Sequence, residues 1–229
     1  MRVHALVLTV ALGATVACSD GGDGSRQAGS RTPGESAEQD GQDDGATGGS
    51  LELEASTTTT TTPEDRALSE LLLEEALSPG FERADDVLGA GPLDLAAAAA
   101  AETDVAAERA LLETRGFERG ASRAWIDPGQ DVVYVAIYDF ETAAGAAAYL
   151  VDGGETLEAR GATPFEVAEV EGAIGFTTIE ESPQGTFTAH AVAFTRGARW
   201  MLALVGSPGS GRTPDEARAV AAAQAARLG

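Results

Sequence analysis

The side chain best suited to proton transfer near neutral pH is histidine, and the sequence contains only His4 and His190. His190 lies within a predicted β-strand, Thr186 to Thr195. A general base needs a partner carboxylate and an opening to substrate, and a serine hydrolase needs a nucleophile such as Ser122 or Ser207 beside it. The sequence contains no G-x-S-x-G elbow. We therefore predict that His190 is a satisfied or edge-exposed histidine and that the chain has no catalytic residues.

A second candidate is a small basic and aromatic face. Arg119, Arg123 and Trp125 occupy alternate positions of a predicted strand, Phe117 to Ile126, so their side chains point to the same side. If this face is exposed, its guanidinium groups and indole would suit an anionic or sugar ligand through bidentate hydrogen bonds and stacking. The alternative is that the arginines pair with nearby glutamates and that Trp125 is part of the core.

Metal and phosphate sites find little support in the sequence. The adjacent acids Asp85-Asp86 and Glu180-Glu181 lack the surrounding oxygen-ligand loop of a calcium site, so we expect them to be solvated. The segment from Gly206 to Gly211 joins a predicted strand to a predicted helix, where a phosphate loop would lie. It has no lysine and no G-x-G-x-x-G spacing, which favours a flexible connector. We predict neither a metal nor a cofactor.

Charge and composition exclude further classes of function. The 229-residue chain has 15 Arg and no Lys against 37 Asp and Glu, a net charge of −22. Such a chain repels phosphate backbones, which argues against nucleic acid as a partner. A single Cys cannot form a disulfide within the chain. Lys and Asn, which are both absent, have AT-rich codons, so the composition indicates a GC-rich bacterial genome.

The N-terminus resembles the export signal of a bacterial lipoprotein. Arg2 precedes an apolar run from Val3 to Ala17, which is shorter than the about 20 residues of a membrane span. The run ends in a lipobox-like Thr-Val-Ala-Cys, with Thr15 in place of the commoner Leu. The resemblance implies that residues 1–17 are a signal peptide and that Cys18 becomes the lipidated N-terminus, on the outer face of the membrane. An ordinary signal peptide cut nearby and an uncleaved anchor are the alternatives.

Residues 18–62 predict a disordered tether after the lipidated cysteine. Ser19 to Thr62 is rich in Gly, Ser, Thr and acidic residues and almost devoid of apolar ones, so little burial offsets the entropy of ordering. A flexible coil of this length spans roughly 35–40 Å. The run of threonines from Thr57 to Thr62 resembles an O-glycosylated stalk, and plain low complexity explains it equally well.

Residues 63–229 predict a single α+β extracytoplasmic domain, a mostly antiparallel sheet with Ala-rich helices packed on one face. The spacing of apolar residues predicts its helices and strands, and Gly and Pro residues mark the turns between them. Helices are predicted at Pro63 to Leu77, Leu95 to Ala101, Asp104 to Arg115, Thr142 to Val151 and Thr213 to Leu228. Strands are predicted at Phe81 to Leu88, Phe117 to Ile126, Asp131 to Phe140, Pro164 to Val170, Ala173 to Ile179, Thr186 to Thr195 and Ala198 to Val205. Residues 117–151 and 186–228 share a hairpin-then-helix plan, which suggests a duplicated ββα unit.

Several segments of this domain resemble a known group of proteins. Leu112 to Gly120, the following Arg-Ala-Trp, the run VVYVAIYDF and the Ala-rich helix after it look like uncharacterised actinobacterial surface lipoproteins. Gly172 to Phe176 and the closing residues 223–228 fit the same pattern. Some lipoproteins of these bacteria resemble the PsbP-like α/β sandwich. The resemblance implies a fold and carries no functional residues.

Three functions from different classes remain open. The first is a lipid-anchored binding or interaction module of the cell envelope, which predicts an apolar groove between the helix layer and the sheet, or an exposed patch. Its partner would be an envelope lipid, a glycan or a protein, while the oligomeric state leaves no trace in the sequence. The second is a structural or accessory envelope lipoprotein without a small ligand. The third is an envelope hydrolase, which requires His190 or a pair of carboxylates in a deep pocket.

Overall fold

The structure is a computed structural model that describes residues 68–183 and 185–229. The predicted signal peptide, Cys18 and the predicted tether lie outside the described residues. The helices are α1 Asp85–Leu88, α2 Leu95–Ala100, α3 Val105–Arg115, α4 Ala143–Ala159 and α5 Pro214–Leu228. The strands are β1 Glu82–Arg83, β2 Pro92–Leu93, β3 Phe117–Ile126, β4 Val132–Phe140, β5 Thr163–Phe165, β6 Ile174–Ser182, β7 Gly185–Arg196 and β8 Arg199–Pro208.

One antiparallel sheet forms the centre of the described chain. Its strands follow the order β1-β3-β4-β8-β7-β6-β5, and β2 pairs with β3 outside this path. β4 and β8 lie at the centre, in a register that places Val135 opposite Ala203. Every residue of β4 is buried, which explains why its sequence is apolar at nearly every position. The predicted α+β class with a mostly antiparallel sheet is confirmed.

Each face of the sheet is covered by a different set of helices. α2, α3 and α4 pack on the face that carries Tyr138 and Trp200. α5 and the segment at residues 68–73 pack on the opposite face, against side chains such as Val135 and Met201. The Ala-rich helices were expected on one face, so the position of α5 differs from the prediction. The reason is that β4 and β8 are apolar on both sides and each side needs a cover.

The two hairpin-then-helix segments are not copies of one unit. β4 and β8 are antiparallel neighbours, so a half-turn about an axis perpendicular to the sheet superimposes the β3-β4 hairpin on the β7-β8 hairpin. After this rotation α4 and α5 still lie on opposite faces. The two units therefore have opposite hands, which contradicts the duplication hypothesis.

The helix predicted at Pro63 to Leu77 does not continue beyond residue 69. The chain is helical at residues 68–69 and then forms turns and bends through residue 79. The Arg123 side chain donates hydrogen bonds to the backbone carbonyls of Ser69 and Leu72, at 3.1 and 3.3 Å, and to that of Leu73. The side chain of Gln224 accepts from the Leu73 N–H at 2.9 Å. These long-range bonds satisfy backbone groups that a continuing helix would bond internally.

Three other elements differ from their predicted bounds. The helix expected to stop at Val151 continues to Ala159, the strand expected through Val170 ends at Phe165, and the strand expected over residues 81–88 is replaced by β1 and α1. Strict alternation along β3 would put Phe117 on the face of Trp125, but a register shift between Phe117 and Arg119 turns its ring to the opposite face. The helix ends follow local capping rules: Asp94 and Asp104 cap α2 and α3 through their side chains, Gly116 ends α3 in the left-handed conformation, and Thr213 and Glu216 form a capping box on α5.

Candidate functional site

An apolar cleft lies between α4 and the half of the sheet formed by β6, β7 and β8. Its volume is about 60 Å³. Three strands of the sheet and three successive turns of α4 form most of the wall. One residue comes from α3 and one from the loop between α2 and α3. The wall includes Glu102, Leu111, Tyr149, Leu150, Gly153, Gly154, Thr156, Leu157, Ile174, Phe176, Ala191, Ala193, Trp200 and Leu202. This is the groove between helix layer and sheet that the binding-module hypothesis predicted.

Small residues on both sides create the space. Ala191 and Ala193 leave room above β7, and Gly153 and Gly154 leave room below α4. A Cβ at Gly154 would lie 3.1 Å from Cδ1 of Ile174, whereas a Cβ at Gly153 would meet no atom within 4 Å. Glycine inside a helix costs about 0.5–1 kcal/mol relative to alanine. The packing of α4 on the sheet outweighs this cost, so the two glycines do not end the helix as predicted.

Two buried carboxylates adjoin the cleft. Glu102 is 3% exposed and is part of the cleft wall, and Glu108 is 1% exposed and lies behind Tyr149. The Tyr149 hydroxyl donates to Oε1 of Glu108 at 2.7 Å. Burial raises the pKa of Tyr149 well above its usual value, and the nearby Tyr138 and Glu108 raise it further. The ring is therefore neutral and serves as a hydrogen-bond donor at any physiological pH.

A basic and an acidic side chain lie beyond the last cleft residues of α4 and β6. Arg160 follows the last turn of α4, and Glu180 lies on β6 beyond the cleft residues Ile174 and Phe176. Burial lowers the pKa of Arg160, while the negative charges of Glu102 and Glu180 raise it. Burial raises the pKa of Glu180, and Arg160 lowers it. The guanidinium of Arg160 is thus electrostatically coupled to both carboxylates.

The sequence analysis did not single out Glu102, Glu108 or Arg160, and it considered Glu180 only as a solvated acid beside Glu181. Glu102 gave no signal, because it occupies a short loop without a motif. Glu108 is in the first turn of α3, where an acidic residue is ordinarily explained by the helix dipole. Arg160 and Glu180 are far apart in sequence, and only the packing of α4 beside β6 makes them interact. Trp200 is 5% exposed and forms part of the cleft wall; its place in the apolar strand Ala198 to Val205 is consistent with this burial.

The predicted basic and aromatic face is not an open site, because its tryptophan is buried and its partly exposed arginines contact other residues of the chain. Trp125 is 3% exposed and packs in the core on the α5 side of the sheet. Arg119 forms an ion pair with Asp139 at 3.2 Å, and Arg199 contacts the same carboxylate at 3.0 Å. Arg123 holds the backbone of the N-terminal segment. The structure thus places the three residues on one face, as predicted, but in internal contacts rather than in an open ligand site.

His190 is buried in the core on the face away from the cleft. It is 5% exposed, and its Nδ1 lies 2.9 Å from the hydroxyl of Thr177. Its Nε2 lies 3.0 Å from the backbone carbonyl of Arg212. A carbonyl can only accept, so Nε2 donates to Arg212, and the hydroxyl of Thr177 can act as partner to Nδ1 in either direction. Both ring nitrogens therefore have hydrogen-bond partners, as the sequence analysis predicted, and neither partner is a carboxylate.

The connector between β8 and α5 is occupied by structural contacts. The Ser207 hydroxyl is buried and accepts from the Arg212 N–H at 3.2 Å. The guanidinium of Arg212 contacts Asp131 at 2.6 Å and Glu216 at 2.9 Å, and it lies over the Phe81 ring. Within residues 68–183 and 185–229, no three metal-ligating side chains cluster, and none of the helices is long and apolar enough to cross a membrane.

No protein-family model and no curated protein matches the sequence. Among solved structures, the extracellular domain of PknH from Mycobacterium tuberculosis is similar at 13% identity and a TM-score of 0.49, covering 71% of this chain and 96% of that one. An uncharacterised Mycobacterium smegmatis protein, the Rv0999 ortholog, has 11% identity, a TM-score of 0.31 and coverages of 70% and 94%. A Bacteroides thetaiotaomicron protein has 14% identity, a TM-score of 0.32 and coverages of 44% and 37%. Similarities at this level do not transfer a function.

Proposed function

We propose that the protein is an extracytoplasmic binding module of the bacterial cell envelope, anchored through lipid on Cys18 and displayed on the tether of residues 18–62. The domain takes an apolar ligand in the cleft between α4 and the sheet. The leader and the lipobox-like sequence support export and anchoring. The cleft supports binding, because a concave apolar site with a few polar groups is the usual form of a small-ligand site.

The single observation that carries the proposal is the composition of the cleft wall. Most of its side chains are aliphatic or aromatic, and Trp200, Tyr149 and Phe176 supply three rings. A larger apolar residue at Ala193 or Gly153 would fill the cleft and would keep the position apolar. The small residues at these positions therefore leave the cleft open. An apolar ligand would bury this surface at about 25 cal/mol per Å².

The other two functions have less support. A structural lipoprotein without a small ligand needs no cleft, whereas the helix glycines that help to form this one carry a cost in helix stability. A hydrolase that uses His190 would need the ring to leave its bonds with Thr177 and Arg212 and to reach the opposite face of the sheet. The absence of enzyme activity remains an expectation.

Native mass spectrometry of the mature protein, purified gently from its host, tests the proposal. We expect a reproducible extra mass that is lost on denaturation, whereas lipid on Cys18 remains attached because it is covalent. Ala193→Leu places additional carbons in the cleft and should remove the extra mass. Ala147→Leu makes the same change on the exposed side of α4 and should retain it. An apo mass in the wild-type protein, or an extra mass that Ala193→Leu leaves unchanged, would contradict binding in the cleft.

A further inference from the structure

We propose that the protein has a second ligand site, which binds a phosphate monoester through a row of arginines at one end of the sheet. The row consists of Arg119 on β3, Asp139 on β4, Arg199 on β8 and Arg196 on β7, which are direct neighbours across four adjacent strands. Alternation along the strands puts the four side chains on the α5 face of the sheet, opposite the cleft. Of the basic and aromatic face considered from the sequence, only Arg119 takes part.

Asp139 neutralises only part of the positive charge of this row. Its Oδ2 accepts from Nε and Nη2 of Arg119 at 3.3 and 3.2 Å, and its Oδ1 accepts from Nε of Arg199 at 3.0 Å. Arg196 has no carboxylate partner among the described residues, and its Nη1 donates to two backbone carbonyls. Three guanidinium groups against one carboxylate leave two positive charges here, in a chain whose net charge is −22.

Two of the arginines are placed where their charges repel each other. Arg196 and Arg199 are directly opposite in the β7-β8 hairpin. The Cα atoms of such a pair are about 4.5–5.5 Å apart, and like charges at these positions are destabilising. The Arg199 side chain is 42% exposed and contacts Asp139 through Nε, so its terminal NH₂ groups can donate to a ligand without breaking the ion pair. An anion held by both guanidinium groups would replace their repulsion with attraction.

The number and the charge of these groups fit a phosphate monoester. A monoester carries about −1.5 to −2 charges near neutral pH and presents three strong acceptor oxygens. Guanidinium groups bind phosphate oxygens in bidentate pairs, and two of them can act on different edges of one tetrahedral group. A carboxylate has two oxygens and one charge, and Asp139 already supplies one to the row. A polyanion such as nucleic acid remains disfavoured, because the negative charge of the whole chain repels it.

NMR of the arginine Nε–H groups tests the site in the full mature chain carrying Cys18→Ser, which has no attached acyl chain. The probes are methyl phosphate and dimethyl phosphate, titrated at about pH 8 and constant ionic strength, where the monoester is a dianion and the diester a monoanion. We expect methyl phosphate to shift the signals of Arg196 and Arg199. It should bind about fivefold or more tightly than dimethyl phosphate, which has less charge and fewer acceptors.

Variants of the row should change the affinity for methyl phosphate in opposite directions. Arg196→Gln should weaken binding about fivefold or more and leaves the ion pairs of Asp139 intact. Asp139→Asn should strengthen binding about threefold, because it removes the competing carboxylate. Arg109→Gln is the matched control, since Arg109 forms an exposed ion pair with Glu113 on α3 and should have almost no effect. Arg196→Gln changes a side chain without a carboxylate partner in the described chain, so the test does not depend on whether Asp139→Asn folds.

Vesicles of phosphatidylglycerol and phosphatidylcholine distinguish a soluble monoester from lipid head groups, which are phosphate diesters. We expect equal, weak binding of the wild-type chain and Arg196→Gln to these vesicles. The site is overturned if methyl phosphate shifts neither Arg196 nor Arg199, or if Arg196→Gln leaves its affinity unchanged. Equal affinity for dimethyl phosphate would overturn the choice of a monoester, and vesicle binding that Arg196→Gln abolishes would overturn the soluble source. The function proposed for the cleft stands or falls separately, because the cleft lies on the other face of the sheet.

Discussion

The hydroxyl of Tyr149 lies 2.7 Å from Oε1 of Glu108, and both side chains are buried. Tyr149 is on α4 and Glu108 is on α3, so this bond joins the two helices behind the cleft. A second contact joins the same helices at the surface, where Arg115 pairs with Asp152 at 2.7 Å. The position of α4, and therefore the width of the cleft, depends on both contacts.

Tyr149→Phe removes the donor and retains the ring. We expect a loss of about 1–3 kcal/mol in the free energy of unfolding, because the buried carboxylate of Glu108 loses a hydrogen bond. In a Glu108→Met background, the same change should cost much less, since an apolar pair of similar shape leaves no charge to satisfy. Urea unfolding of the two single variants and the double variant measures this coupling. Additive effects would show that the bond contributes little.

Gly145 and Gly153 both lie within α4 and should respond to alanine with opposite signs. A Cβ at Gly145 would overlap the backbone carbonyl oxygen of Arg115 at the end of α3. Because backbone cannot move aside cheaply, we expect Gly145→Ala to destabilise the protein by about 1–3 kcal/mol. A Cβ at Gly153 meets no atom within 4 Å, so Gly153→Ala should stabilise by about 0.5–1 kcal/mol. The change in the midpoint of thermal unfolding gives the sign for each variant. A higher midpoint for Gly145→Ala would contradict the close contact between α3 and α4 at this position.

The three tyrosines make stability fall at alkaline pH. All of them, Tyr134, Tyr138 and Tyr149, are buried, and burial raises the pKa of each, for Tyr134 from 10.0 to about 12. A raised pKa favours the protonated form in the folded state, so the stabilisation is complete below pH 10 and is lost as the pH rises toward 12. Between pH 10 and pH 12, the ionisation of Tyr134 alone lowers the free energy of unfolding by on the order of 2–3 kcal/mol. Tyrosinate absorbance should therefore rise together with loss of secondary structure, and ionisation of a still-folded protein near pH 10 would contradict the burial.

Arg123→Lys tests how the segment at residues 68–77 is held. The guanidinium donates to three backbone carbonyls of this segment, which an ammonium cannot reach with the same fork geometry. We expect the free energy of unfolding to fall by about 1.5–3 kcal/mol. Hydrogen exchange should also be faster at the Leu73 amide, which donates to the side chain of Gln224 in the wild-type protein. Arg109→Lys replaces an arginine that forms only an exposed ion pair with Glu113 and should have almost no effect. Unchanged exchange at Leu73 would indicate that the leucines hold the segment without Arg123.

The sequence by itself determined the class of the fold and most of the element boundaries. Alternation of apolar residues locates a strand whatever it packs against, so β3 was predicted at the residues where it occurs. Caps are equally local, because the side chains of Asp94 and Asp104 bond amides three residues away. The export signal is likewise a local pattern, and its cleavage and the lipidation of Cys18 remain predictions.

Only the tertiary structure decided which face each helix covers and where a cleft opens. Glu102, Arg160 and Glu180 interact electrostatically only because α4 packs beside β6. Glu108 joins α3 to α4 through its hydrogen bond with Tyr149. The end of the N-terminal helix was set by Arg123 and Gln224, which are more than fifty residues away from part of the backbone that they bond. Hydrogen bonds between distant residues and the fit of small residues against a sheet depend on positions in space, and residue spacing along a chain does not encode them.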